Sequence, residues 1–513
     1  MTRSRLPQPA NSTARHTSRA ASIAAVLAAG LLGAAPARAE VTPAQATALE
    51  AQIRGFIARQ IGAVVDASAL AVRATPAGDS VKLELPLGGP MLRGLLEASP
   101  GAWSARVKPL TDGRYAIEDM RITSPMTFSL AGDALAAGKG KDKDKPSSMT
   151  IEMAEQSYSG MLDTTLATTS TFDTRLRGYS VTIDGAEGPR TTHLDVVTGN
   201  SVWTPKGGAR ADVTGSLTAD KYATATAMPD GSTVNVSADR LIGSSRIDNL
   251  DFDRLGAIVQ AAAAFGATLD KASKDKAGDT TELTPAQRGM LRTMLADLGE
   301  LMDGMGSNQT MENLRVTASG QTGTLKKLSL GFAASAPGGL LEMRLPIALE
   351  GFDSPAIPKG AIRELLPKLV SLIPRFAGVP KAELMAILQR AADVPDTDAM
   401  QAELTAMVGK NPVTFGIDKL AIELGLASLR GGGAVKVSGA DDIQGDGEFR
   451  MTGLDALIRR TNTTPELKMA APALIFLKGI GKADGKDMVW HITYADKALM
   501  VNDTNMTEMM PGK

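Results

Sequence analysis

Two textures alternate along the chain: runs of strict period-2 alternation between apolar and polar residues, and short stretches where apolar residues recur every three to four positions. The first texture predicts strands with one wet face, the second amphipathic helices. Val81, Leu83, Leu85 and Leu87 alternate with Lys82, Glu84 and Pro86. Trp103 to Leu110 and Arg114 to Ile122 flank Thr111-Asp112-Gly113, a hairpin signal. Met149, Ile151 and Met153, then Tyr179, Val181 and Ile183, then Leu194 and Val196 continue the pattern. Val234 and Val236 follow the turn Pro229-Asp230-Gly231. A second cluster runs from Leu325 to Phe352, and in it Leu341, Met343, Leu345, Ile347 and Leu349 form one long alternation. A third holds Val413, Phe415, Ile417, Leu420, Ile422 and Leu424. The last joins Trp490, Ile492 and Tyr494 through Asp496-Lys497 to Leu499 and Val501. Pro86 and Pro346 inside such runs mark edges or bulges, because proline cannot donate to a ladder.

Helix starts are legible where Thr-Pro-Ala-Gln occurs. Thr42-Pro43-Ala44-Gln45 and Thr284-Pro285-Ala286-Gln287 each offer an N-cap, a proline at the first helical position and a capping-box glutamine. Leu49, Ile53, Phe56, Ile57 and Ile61 fall on one face behind the first. Met290, Leu291, Met294, Leu295, Leu298, Leu301 and Met302 form a stripe behind the second. Thr464-Pro465-Glu466 opens a third helix. The amphipathic helices are expected at 42–61, 284–302, 360–377 and 464–479, positioned to cover the sheet, with Met294, Leu295 and Leu298 as its covering residues.

The fold expected is α+β: extended antiparallel β-meanders forming one or two curved sheets, covered by short amphipathic helices. A β-rich region at 40–252 with an initial helix, a helical hairpin at 253–310, and a second β-rich region at 311–513 with interspersed helices divide the chain. The charged run Lys139 to Lys145 and the stretch Lys271 to Thr281 read as solvated loop and linker. A strand running through a short corner into a helix recurs at Asn249-Leu250-Asp251, Gly351-Phe352-Asp353 and Gly453-Leu454-Asp455, at irregular spacing.

Residues 1–39 read as a secretory signal peptide. Arg3, Arg5, Arg15 and Arg19 precede an uncharged run from Ala21 to Ala35. Ala37-Arg38-Ala39 then supplies a cleavage site before Glu40. The expected location is periplasmic or secreted, by the general export route. Cleavage removes five Arg and no acidic residue, leaving 50 basic against 56 acidic side chains. Leu255 to Leu269 is too short and too interrupted to span a bilayer, so no span is expected in the mature chain.

Composition narrows the chemistry. No Cys excludes disulfides, thiolate metal sites and cysteine nucleophiles. The near-neutral charge gives no field for nucleic acid, and aromatics at 4% provide few stacking platforms. His193 and His491 are the only histidines after residue 39, both in alternating segments, with no Gly-x-Ser-x-Gly elbow and no His-Glu-x-x-His helix. Gly479 to Gly485 has one residue too many for a dinucleotide fingerprint and reads as a helix end and turn. From Asp442 the twelfth position is Gly453 where a calcium loop needs Glu. The 24 methionines, Met506, Met509 and Met510 among them, read as flexible core packing rather than a soft-metal site. No catalytic residue, metal or cofactor is expected.

Gly453-Leu454-Asp455-Ala456-Leu457 and the ending Ile492-Thr493-Tyr494 to Asn502 resemble a poorly characterised group of proteobacterial periplasmic proteins that are remotely AsmA-like. The likeness covers mainly the last third. It departs at Asp496-Lys497, where Asp-Gly is usual, at Asp503, where Gly is usual, and in lacking a retained membrane anchor. It implies a long curved sheet with an apolar concave face and a link to envelope lipid homeostasis, without catalytic residues. The function expected is therefore a non-enzymatic envelope protein that binds or shields acyl chains, with lipid or envelope proteins as partners. Leu330, Phe332, Met343, Leu345, Ile347 and Leu349 are the face candidates. A partner-binding scaffold and an exported hydrolase with an unrecognised site are the alternatives.

Overall fold

The computed structural model describes residues 40–61, 71–91, 96–130, 148–163, 168–185, 188–228, 231–275, 283–357, 360–393, 397–439 and 442–507. The signal segment with Ala39, and the charged run 139–145, lie outside the described residues; Glu40 is exposed.

Helix α1 (Pro43–Ile61) precedes strands β1 (Arg73–Ala77), β2 (Ser80–Met91), β3 (Leu96–Pro109), β4 (Tyr115–Ile122), β5 (Met126–Leu130), β6 (Ser148–Glu152) and β7 (Glu155–Asp163). Four long strands follow: β8 (Thr168–Gly185), β9 (Gly188–Gly207), β10 (Arg210–Ala227) and β11 (Thr233–Asp251). Helices α2 (Phe252–Asp275) and α3 (Pro285–Glu300) come next, then β12 (Gly304–Ala318), β13 (Gln321–Ser335), β14 (Leu340–Arg344) and β15 (Ile347–Asp353). A single helical turn, α4 (Ala361–Glu364), leads to β16 (Leu369–Pro380), α5 (Lys381–Asp393) and α6 (Thr397–Lys410). The chain ends with β17 (Val413–Glu423), β18 (Ser428–Val437), β19 (Ile443–Thr452), α7 (Leu454–Thr463), a 3-10 turn (Pro465–Ala470), α8 (Ala471–Ile480), and the short β20 (Lys482–Asp484), β21 (Asp487–Ala495), β22 (Ala498–Val501) and β23 (Thr504–Asn505).

The fold is α+β, and all the described strands join one antiparallel sheet. Pairing follows chain order: β8 to β9, β9 to β10, β10 to β11, and on through β12 and β13. Two short strands share one position where the alternation breaks. Both β14 and β15 lie between β13 and β16; β4 and β5 lie together beside β3, and β6 and β7 beside β8. Strand β11 pairs directly with β12 across the α2–α3 excursion, so the β-rich stretches before and after the helical hairpin belong to the same sheet.

The caps form as the sequence predicts. Thr284 and Gln287 make a reciprocal capping box, and Thr42 with Gln45 repeats it: the Thr42 amide donates to Gln45 Oε1 at 2.9 Å, and the Gln45 amide to Thr42 Oγ1 at 3.3 Å. Pro86 lies past the last β1 partner of β2, where no second ladder requires its amide. Pro346 breaks the run from Leu341 to Leu349 into β14 and β15. Helix α2 extends to Asp275, into the first part of the expected linker.

Two expectations need correction. The segment 360–377 is helical only at Ala361–Glu364; from Leu369 it is strand β16, paired on both sides. The i, i+3, i+4 spacing of Ile362, Leu365, Leu366 and Leu369 suggested a helix. Pro367 and Pro374 lack the amides a helix needs, and Val370, Leu372 and Phe376 gain two ladders in the sheet. Conversely, 381–393 and 397–410 are helices that were not expected.

The helices cover parts of the sheet: α1 the first strands, α2 Trp203, Val213 and Ile247, α5 and α6 Leu341, Phe376, Val379 and Val413, and α7 and α8 the last strands. α2 packs against α1 and α3, α3 against α5, and α5 against α6. Leu295 and Met294 are half-buried among them, and Leu298 is 51% exposed. The α3 stripe therefore meets neighbouring helices along most of its length, and at its end Leu301 and Met302 pack with Ala211, Leu250, Trp203 and Val213 of the sheet.

Candidate apolar binding face

Register decides which side chains share a face, because directly paired residues of an antiparallel ladder point the same way. Leu330 is opposite Ile347, Leu328 opposite Leu349 and Ala334 opposite Met343. Phe332 and Leu345 occupy the intervening row at the same offset. All six predicted face residues therefore lie on one side of the sheet. The row of Leu330 and Ile347 continues through Leu372 to Leu420. The row of Leu328 and Leu349 continues through Val370 to Ile422 and Leu429, and in the other direction through Met311, Leu241 and Ala219 to Val197 and Leu176.

The opposite face differs in chemistry. There Thr218, Ile242, Thr310, Ser329, Ala348, Ser371 and Ala421 stand in one row, and Thr310 Oγ1 lies 3.0 Å from Ser329 Oγ. From β13 to β17 the first side is thus mainly aliphatic and the other mainly hydroxyl and methyl, whereas on β12 to β10 the row of Leu330 continues as Gln309, Gly243 and Leu217 and that of Phe332 as Ser307, Ser245 and Gly215.

The apolar face is closed at both ends. On the first strands, Leu49 and Ala46 of α1 pack on Val81, Leu83, Ala105, Val107 and Ile117, with Leu49 fully buried. On the last strands, Leu454 of α7 buries against Trp490 and Val501, joined by Ile458, Leu474, Phe449 and Ile492. Met506 is part of this cluster, which gives it a packing role. Between these ends helices cover one margin of the face: α2, with Leu301 and Met302, packs on Trp203, Val213 and Ile247, and α5 and α6 pack on Leu341, Phe376, Val379 and Val413. Elsewhere on it Leu217 is 41% exposed, Leu330 45%, Leu345 42% and Phe415 52%. Phe332, Met343, Ile347 and Leu349 are half-buried. The exposed apolar residues span β10 to β17, six inter-strand steps or about 29 Å at ~4.8 Å each.

A row of left-handed residues crosses this face. Gly178, Lys221, Asn313 and Gly351 have φ of 56°, 56°, 54° and 65° and fall on every second strand at one register level. At this level the period-2 alternation slips by one on each strand. Apolar residues then stand three apart: Leu176 and Tyr179, Val197 and Leu194, Ala219 and Tyr222, Met311 and Leu314, Leu349 and Phe352. Leu176 and Val197 pack in the same cluster as Tyr179 and Leu194, so the slip keeps apolar side chains on one face across the row. Polar side chains between them pair along it: Lys221 Nζ lies 3.1 Å from Asp239 Oδ1, Asn313 Nδ2 donates to Asp239 Oδ2 at 3.0 Å, and Lys326 Nζ lies 2.6 Å from Glu350 Oε1. The hydrogen bonds from Lys221 and Asn313 hold the Asp239 carboxyl below the usual carboxylate range, and Lys326 does the same for Glu350. Burial raises the phenols of Tyr158 and Tyr179 beside this row.

The sequence places Phe415 in an alternating strand but not among the face candidates, and singles out neither Leu217 nor the left-handed row. The i, i+3 spacing of apolar residues repeated on consecutive strands was the available signal for that row. The two strand histidines stand apart, His193 Nε2 3.0 Å from Asp195 and His491 Nε2 3.3 Å from Asp446. Among the described residues no three His, Asp or Glu side chains gather as a metal site, and no helix is long and apolar enough to cross a membrane. No protein-family model, curated protein or solved structure matches this chain.

Proposed function

We propose that this chain is a non-enzymatic, exported envelope protein that holds or shields lipid acyl chains on the apolar face of its sheet. One observation carries the reading: exposed apolar side chains, Leu217, Leu330, Leu345 and Phe415 among them, recur on one face over about 29 Å between the parts that helices cover. A core face would be covered along its whole length, whereas soluble monomers rarely leave large contiguous apolar surface in water. The aliphatic side chains of β13 to β17 suit an acyl chain, which needs area rather than hydrogen bonds, while Gln309 and Ser307 give the same face polar positions on β12. The sheet is proposed to curve about the left-handed row so that the face forms a trough. The remote AsmA-like resemblance and the signal segment agree with this role and with a periplasmic location.

Native mass spectrometry of protein purified from the envelope is the direct test. Co-purifying phospholipid or fatty acid in the wild type, lost in Leu330→Glu/Phe415→Glu, supports the proposal. A bare mass from both, with an envelope protein captured instead, supports the scaffold reading.

A further inference from the structure

Helix α8 carries a surface that the acyl-chain reading does not use. Its inner side is anchored: Ala471 is buried, Leu474 and Ile480 pack against the last strands, and the Trp490 indole donates to the Leu477 carbonyl at 2.9 Å. Asn502 Nδ2 donates to the Ile480 carbonyl at 2.9 Å. The outer side bears Ile475, Phe476 and Leu477, at 53%, 43% and 40% exposure, and Met469 in the preceding turn is 94% exposed. Among the described residues this is the only run of three consecutive exposed large apolar side chains.

Four lysines flank it along the chain. Lys468, Lys478, Lys482 and Lys486 are all exposed. Of the acids nearby, Asp455 is engaged by Lys478 at 2.6 Å and Asp484 by Arg450 at 2.9 Å, and Glu466 is exposed in the same turn as Lys468 and Met469. An exposed apolar ridge with lysines at its margins is complementary to a bilayer interface with anionic headgroups: the apolar side chains enter the acyl boundary while the ammonium groups stay at headgroup level. At 10 residues, the helix is far too short to span.

We propose that the outer side of α8, with Met469, docks this end of the sheet on the surface of an anionic lipid bilayer. The helix is held rigidly by its inner side, so little ordering opposes binding. The docking stands independently of whether the open face carries acyl chains.

Co-sedimentation of the full chain with vesicles tests this. Mixed phosphatidylglycerol–phosphatidylcholine vesicles should bind the wild type, and pure phosphatidylcholine vesicles should bind it less. Ile475→Ser/Phe476→Ser should weaken binding by about tenfold or more. Lys468→Glu/Lys482→Glu should weaken it too, with the same dependence removed by high salt. Leu330→Glu should bind vesicles as the wild type does, which separates this surface from the sheet face. A wild type that does not sediment with anionic vesicles, or variants that bind as tightly as it does, overturns the proposal. Self-association in analytical ultracentrifugation that Ile475→Ser/Phe476→Ser abolishes, without vesicle binding, assigns the patch to a second copy instead and equally overturns it. Should the serine variant melt early, the lysine variant, which alters only exposed charges, decides alone.

Discussion

Leu330 lies directly across the β13–β15 ladder from Ile347, and the pair heads a row that reaches Leu372 and Leu420 without a change of face. Leu330 is nearly half exposed, so a charge at this position meets water more than core. Leu330→Glu is therefore expected to keep the wild-type melting temperature within a few degrees and to reduce binding of a fluorescent fatty acid. A fall in melting temperature comparable to a core substitution would mean that this row is packed in solution.

The left-handed row makes a sharper stability prediction. Asn313 holds φ of 54°, a conformation that Asn tolerates and β-branched residues do not. Asn313→Val should destabilise by about 1–2 kcal/mol, whereas Asn313→Gly should change stability little apart from losing the bond to Asp239. Urea denaturation of the two variants checks the difference; equal effects would show that the left-handed backbone is not maintained.

Leu49 and Leu295 both sit on predicted helix stripes, but their surroundings differ. Leu49 is fully buried under the first strands, so Leu49→Ala should cost about 2–5 kcal/mol. Leu295 is half-buried between helices, and Leu295→Ala should cost about 1 kcal/mol. Thermal melts should rank them in that order. The reverse order would place the main core at the helical pair.

Stability should be flat from about pH 5 to 9 and fall on both sides. Asp239, Glu350, Asp353 and Asp487 are depressed by hydrogen bonds from Lys221, Lys326, Arg363 and Thr452 respectively. Their contribution is fully present above the ordinary carboxylate range and is lost as pH falls through the folded values. Tyr158 and Tyr179 are raised by burial, so their contribution holds below the usual phenol value and is lost as pH rises through the folded ones. A melting curve recorded against pH that peaks sharply inside this window would contradict the assignment.

Strand character was legible wherever alternation ran unbroken, because one buried and one wet face impose a period of two on the chain. The six candidates from Leu330 to Leu349 share a face for that reason. The capped helices at Thr42 and Thr284 were legible because a threonine, a proline and a glutamine at fixed spacing satisfy the same exposed amides in any protein. Segment 360–377 was misread because its leucines fit a helix period over one turn, while the competing ladder comes from residues on β15 and β17 far along the chain. The row through Gly178 and Asn313 escaped notice because a one-residue slip looks like noise in a single strand. It becomes a pattern only when neighbouring strands are aligned.

Chain-order pairing has a consequence for assembly of the molecule. Each long strand from β8 to β13 finds its partner in the strand just made, so the ladder can grow by successive short loop closures, with α2–α3 the one larger excursion. An elongating sheet of this kind is a linear array in which stability is the sum of neighbour-to-neighbour terms. Deleting one adjacent pair of strands would shorten the ladder and still leave each remaining strand a compatible edge. The width of the apolar face is thereby a quantity that gain or loss of hairpins can tune while the helical ends stay the same.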